Sequence, residues 1–249
     1  MVDRARSGAV LTPVGEAAVG RAAEILARAE DLVQASQAAG RPLAGRFRLG
    51  VIPTIAPFLL PPALPVLRRR FPELRLYLRE EQTARLTAAL RAGELDAALI
   101  ALPFDTTGLD VEPVMEDALV AAAPAGHRLV RGEAVELDAL AEEELILLED
   151  GHCLRDNALA ACRLDGGRAP GDAAFAATSL PTLVQMVGAG LGVSLLPAMA
   201  VEAGLAKAAS LETRPLATDG ARREIVVAWR AGSSRGPEAR LLAEAIRPA

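Results

Sequence analysis

Leu74-Arg75-Leu76-Tyr77-Leu78-Arg79, followed by Gln82 to Ala92 and then Leu95 to Leu102, decides the fold class. Three leucines alternate with Arg, Tyr and Arg, the period-two signature of a strand. Residues 82–92 read as a helix and 95–102 as an apolar strand. Upstream, Arg46 to Ile52 reads as a strand, Pro53-Thr54 as a turn, and Ile55 to Arg70 as a helix despite its prolines. Repeating strand–helix units of this kind predict a mainly parallel sheet covered on both faces. Downstream, Glu112 to Ala123 breaks the rhythm with two short strands crossing into a second lobe. That lobe repeats the style, with strands at Leu145–Leu148, Ala174–Thr178 and Val193–Leu196 and a helix at Leu180–Ala189. A strand at Glu224–Arg230 and a helix at Pro237–Ile246 close the chain. Two α/β lobes joined by crossing strands leave a cleft between them, where such folds bind ligands.

The N-terminal part is different. Thr12 followed by Pro13 is a helix start signal. From there Val19, Ala22, Leu26, Ala29 and Val33 form a narrow apolar seam, as in a helix that pairs with a second long helix. Packing onto the domain that follows is the alternative. Gln37 to Pro42 reads as a linker, which favours dimerisation.

The chain has 249 residues, 51% hydrophobic and 24% charged, with a net charge of −5. That charge argues against a strong electrostatic footprint for nucleic acid. Arg68-Arg69-Arg70 ends a helix, where cations complement the dipole. No run is long and apolar enough to span a membrane, and no secretion signal is evident. The expected location is therefore cytoplasmic, where thiols stay reduced. No cofactor or metal is expected.

Both cysteines fall in one stretch, Leu148-Glu149-Asp150-Gly151-His152-Cys153-Leu154-Arg155-Asp156 and then Cys162. Cys153 follows a strand and a turn and begins a helix running to about Arg163. A thiol in the first turn feels the positive end of the helix dipole, which favours thiolate. Arg155, and His152 if protonated, would add to this, whereas Asp150 and Asp156 oppose it. Nine residues along a helix is a rise of about 13.5 Å, whereas a disulfide needs Cα atoms within roughly 7 Å. If one helix holds both cysteines, they can bond only by unwinding it. Several readings stand on the residues alone: a redox pair, two small buried hydrophobes, a zinc site using His127 and His152 with carboxylates, or a Cys–His hydrolase.

This stretch resembles the peroxide-sensing branch of the LysR-type transcription regulators. The likeness extends to Gly50-Val51-Ile52-Pro53-Thr54-Ile55-Ala56-Pro57 with Leu59-Leu60-Pro61, to Glu81-Gln82-Thr83, and to Ala177-Thr178-Ser179-Leu180 through Pro197. It implies an α/β, two-lobed, periplasmic-binding-protein-like (type 2) regulatory domain preceded by a long linker helix. The division would be 1–11 as the remnant of a winged helix–turn–helix wing and 12–40 as the linker helix. Lobe I would be 46–118 with 231–249, and lobe II 119–230. By this resemblance Cys153 is the peroxidatic and Cys162 the resolving cysteine of a reversible disulfide. Thr54, Thr83, His152, Arg155, Asp156 and Arg230 would hold peroxide and activate the thiol. The implied partners are hydrogen peroxide, a thiol reductant for reset, and further copies in a homodimer or homotetramer. Promoter DNA and RNA polymerase would concern only the full-length protein, because the recognition helix of the family is missing from this sequence. The resemblance implies a regulator and not an enzyme. Two alternatives are a LysR-type domain that binds a small effector in its cleft and a thiol peroxidase.

Overall fold

The computed structural model describes residues 1–5, 8–37, 41–162, 176–218 and 220–248. An antiparallel hairpin of β1 (Val2–Ala5) and β2 (Gly8–Leu11) leads into α1 (Pro13–Gln37). The Thr12 hydroxyl accepts the Gly15 backbone N–H at 3.1 Å, the cap that Thr12-Pro13 predicts. Val19, Ala22, Leu26 and Ala29 are all exposed, Leu26 to 64%. The seam is thus not covered by the described residues at these four positions. The side chain of Val33 and linker residues 38–40 lie outside the described residues.

In the first lobe come β3 (Gly45–Val51), α2 (Ala56–Arg70), β4 (Leu74–Glu80), α3 (Thr83–Arg91) and β5 (Ala97–Leu102). Strand β3 is central and parallel to both neighbours, pairing Gly45 with Leu74 and Leu49 with Ala97. Helix α2 tolerates Pro57, Pro61, Pro62 and Pro65 because all four occupy its exposed side. Its buried side carries Leu59, Leu60, Ala63 and Leu67.

The crossing is made differently from the expectation. Instead of two short strands, β6 (Leu109–Pro124) is a single strand of 16 residues. Pro113 lies within it, next to a bulge. Ile225 pairs with Met115 and Val226 with Pro113, leaving Val114 over. Proline is tolerated at such a site because the ladder is already interrupted there.

The second lobe holds α4 (Leu137–Ala141), β7 (Leu147–Leu148), α5 (Cys153–Ala161), β8 (Ala176–Ala177), α6 (Leu180–Gly188) and β9 (Ser194–Pro197). Helices α7 (Ala198–Glu202) and α8 (Leu205–Ala208) and strand β10 (Leu211–Pro215) follow, all three unread in the sequence. The chain returns through β11 (Arg222–Arg230) and ends in α9 (Gly236–Ile246).

The main sheet runs β10-β6-β11-β5-β3-β4, with β9 also on β6. It is mixed, not mainly parallel. The β3, β4 and β5 pairings are parallel, while β6 and β11 pair antiparallel because both cross between lobes. Two hydrophobic clusters result. Phe47, Leu49, Leu86, Ile100 and Leu242 belong to the first, and Leu119, Leu140, Leu147, Val184 and Leu195 to the second. Ile225 to Trp229 also belong to the first cluster. The expected assignment of 119–230 to lobe II therefore ends too late, because β11 pairs with β5.

Candidate functional site

The strand–turn–helix at 147–161 sets the site. Gly151 adopts φ +91°, a conformation costly for any residue with a Cβ. A Cβ there would also meet the Gln82 Oε1 at 2.9 Å. Arg155 pins the turn from the helix side: its Nε lies 2.9 Å from Asp150 Oδ1, and its Nη1 donates to the Leu148 carbonyl at 3.3 Å. Expected to steady the thiol, Arg155 is instead committed to shaping the turn. Asp156, in the first turn of α5, is exposed.

Cys153 opens α5 and is 5% exposed. Although it is carried by a second-lobe helix, its side chain packs in the first cluster. Burial pushes its thiol up from the ordinary value, more than Arg223, the Thr83 hydroxyl and the Ala101 backbone pull it down, and Asp156 adds to the rise. Desolvation is the largest of these effects. The resting group is the thiol, contrary to a reading from the dipole alone.

Cys162 caps the other end of the same helix, 7% exposed, and packs in the second cluster. Burial raises its pKa to about 11. Both cysteines are free. One nine-residue helix thus separates them by a rise of about 13.5 Å.

The cation near Cys153 is Arg223, not Arg230. Arg223 is 1% exposed. Its Nη1 donates to the Thr54 hydroxyl at 2.8 Å and its Nη2 to the Thr54 carbonyl at 3.1 Å. Its Nε donates to Asp117 Oδ2 at 3.0 Å, while Asp117 Oδ1 accepts the Met199 N–H at 3.0 Å. Arg230 lies seven positions further along β11, roughly 23 Å at strand rise, and pairs with Leu109. It is not brought to the thiol.

Thr83 is buried, and its hydroxyl has no partner of normal hydrogen-bond geometry among the described residues while standing close enough to Cys153 to favour thiolate. His152 precedes α5 at 9% exposure, and burial, outweighing Glu149, lowers its pKa. It is therefore neutral at physiological pH and supplies no charge. Thr54, Gln82, Thr83, Gly151, His152 and Cys153 line one narrow crevice, which has no room for a water-sized molecule as it stands. The structure thus brings together Thr54, Thr83, His152 and Cys153. It leaves Cys162 at the far end of α5, Arg155 on the turn, Asp156 at the surface and Arg230 away.

Arg223, Asp117 and Met199 escaped the sequence reading, which included Gln82 in a resembling segment but gave it no role. The strand was expected to begin at Glu224, which left Arg223 just outside it. Charges inside the apolar runs of β6 and β11 were the available signal.

Residues 40–249 match the LysR substrate binding domain family. The chain belongs to that family. This LysR domain is 40% identical, over its whole length and 80% of the relative, to a probable hydrogen peroxide-inducible genes activator of Streptomyces viridosporus. It is 42% identical over 83% of its length, and 68% of the relative, to the HTH-type transcriptional regulator EstR of Acinetobacter baylyi. Among solved structures it is similar to a hydrogen peroxide-bound cysteine-to-serine mutant of Corynebacterium glutamicum OxyR, with a TM-score of 0.80 and 32% identity. That match covers 99% of this LysR domain and 77% of the other chain. The two-lobed, type 2 periplasmic-binding-like architecture described above is the fold of the family.

Proposed function

We propose that this LysR domain is a peroxide-sensing regulatory domain whose switch is a reversible Cys153–Cys162 disulfide. The observation that carries the reading is the placement of the two thiols at opposite ends of one helix, in two different hydrophobic clusters. The reduced fold keeps them apart, and no bond can form without remodelling α5.

In the first step the Cys153 sulfur attacks one oxygen of hydrogen peroxide. The O–O bond breaks, the sulfur becomes a sulfenic acid, and the other oxygen leaves as water with the thiol proton. Arg223 and the hydroxyls of Thr54 and Thr83 are the groups placed to orient peroxide and to steady the charge that develops on sulfur and leaving oxygen. Neutral His152 closes one side of the crevice. In the second step the Cys162 thiol attacks the sulfenic sulfur, water leaves, and the disulfide forms. Cys162 is held protonated while buried, so it resolves the sulfenic acid only once α5 opens. A thiol reductant restores both thiols. Each oxidation consumes one peroxide and then waits for reset; the reset is slow in a regulator, whereas a peroxidase is reduced fast enough to turn over continuously.

The crevice at Cys153 has no room for a water-sized molecule at rest, so it is no preformed pocket of the roughly 300–1,000 Å³ that small-molecule sites have, and peroxide enters it only as its walls move. In a full-length protein the remodelled helix would change the packing of copies joined through α1, and through that their action on promoter DNA and RNA polymerase.

Near-stoichiometric peroxide followed by alkylation and disulfide mapping tests this. The expected product is one Cys153–Cys162 bond, lost in Cys162→Ser, which instead accumulates sulfenic acid. Failure of the wild type to form the bond would overturn the proposal. Sustained peroxide consumption with reductant would turn it towards a peroxidase.

A further inference from the structure

Four residues of α5 are buried: Cys153, Leu154, Asn157 and Ala158. Three are small or apolar. Asn157 is neither, and it sits one helical turn after Cys153 on the same face. It is 7% exposed. Its Nδ2 donates to the Leu102 carbonyl at the end of β5 at 3.4 Å, a long bond to the first lobe. Its Oδ1 is buried with no hydrogen-bond partner among the described residues. By contrast, the buried hydroxyl of Ser194 donates to the Ile146 carbonyl at 2.7 Å. Asparagine is also a poor interior helix residue, since its amide competes for the backbone. Local propensity, polarity and hydrogen bonding thus all weaken α5 where its packing must break.

We infer that Asn157 is the release catch of α5: its half-satisfied amide, wedged against Leu102, sets how readily the helix unwinds after Cys153 has been oxidised. This rests on the disulfide switch proposed above. Opening the helix hydrates the Asn157 carbonyl, so part of the penalty of leaving it buried is recovered at that moment. The residue is a positioning residue for the resolving step, in which Cys153–SOH and Cys162–SH give the disulfide and water. It does not touch peroxide and leaves the first step alone.

The test separates the two steps. In Asn157→Leu, the second-order oxidation of Cys153 by hydrogen peroxide is followed in a Cys162→Ser background by trapping sulfenic acid. Disulfide formation is followed in the Cys162 background by acid quench and mass spectrometry. The expected result is a first step unchanged within about twofold and a disulfide step slowed roughly tenfold. With excess peroxide, more Cys153 should proceed to sulfinic acid, because the sulfenic acid lives longer. Asn157→Met, whose flexible side chain fits irregular space, should behave alike and answers the question if the leucine variant does not fold. Equal slowing of both steps would mean that the substitution only disturbs the thiol, and unchanged or faster disulfide formation would mean that Asn157 is no catch. Either outcome overturns the inference while leaving the switch in place. Absence of the bond in the wild type would instead overturn the switch itself.

Discussion

The strongest favourable neighbour of the Cys153 thiol is Arg223, a guanidinium already paired with Asp117 and bonded twice to Thr54. This divides the labour between arginines in a way that single substitutions can reveal. Arg223→Lys keeps a charge but loses the planar fork, and should slow peroxide oxidation of Cys153 by about 10²-fold. Arg230→Gln should change it less than about twofold, both measured by stopped-flow competition. Because burial raises the thiol pKa, thiolate becomes abundant only in strongly alkaline solution. In a Cys162→Ser background, alkylation of Cys153 should keep accelerating with pH where an ordinary thiol has levelled off. His152 titrates with the opposite consequence. Its folded pKa lies below the ordinary 6.5, so its contribution to stability is present above that value and is lost as pH falls through the lowered one. Melting curves should therefore show a loss of Tm in acid that His152→Gln reduces. Thr54, Thr83, His152 and Cys153, which the fold brings to one crevice, were named from the sequence because each lies in a short stretch that resembles the family. The Arg223–Asp117 pair joins residues 106 positions apart, and only strand register brings those together.

Helix α5 is the element on which the site depends, and its start was legible: a strand and then a turn at Asp150-Gly151 just before Cys153. The turn leaves no room for change. Gly151→Ala meets both the positive φ and the Gln82 side chain. It should destabilise the reduced domain by about 1–3 kcal/mol in urea melts, and it should also loosen Cys153 in its crevice. A denaturation midpoint equal to the wild type would show that the turn relaxes freely. Strand β6 was the harder element to read. Glu112 to Ala123 reads as two short strands, and a bulge is a tertiary solution that no local pattern announces. Strand β10 was missed for a related reason: only its first residue is fully buried, so the apolar alternation of a half-buried strand is absent.

Across the molecule, Arg223 and Asp117 tie Thr54 of the first lobe to Met199 of the second. Asp117→Ala leaves a cation buried with no counter-charge, and should destabilise the domain by about 3–5 kcal/mol, measured by urea melts. Val19 and Leu26 of the α1 seam are exposed among the described residues. Leu26→Glu, alone or with Val19→Glu, should therefore reduce self-association in light scattering without shifting the far-UV spectrum. The alternation of strands and helices made the two-lobed frame legible. The place where one lobe ends was not, since β11 belongs by sequence order to the second and by pairing to the first. The separation of the two thiols into different clusters has one more consequence, for the midpoint potential of the couple. On the proposed switch, folding of α5 competes with the S–S bond, so the packing free energy of the helix enters the redox equilibrium with opposite sign. Each 1.4 kcal/mol of packing corresponds to about 30 mV. The concentration of oxidant at which the domain responds would then be a property of its hydrophobic interior, and would drift with temperature and cosolvent as that interior does.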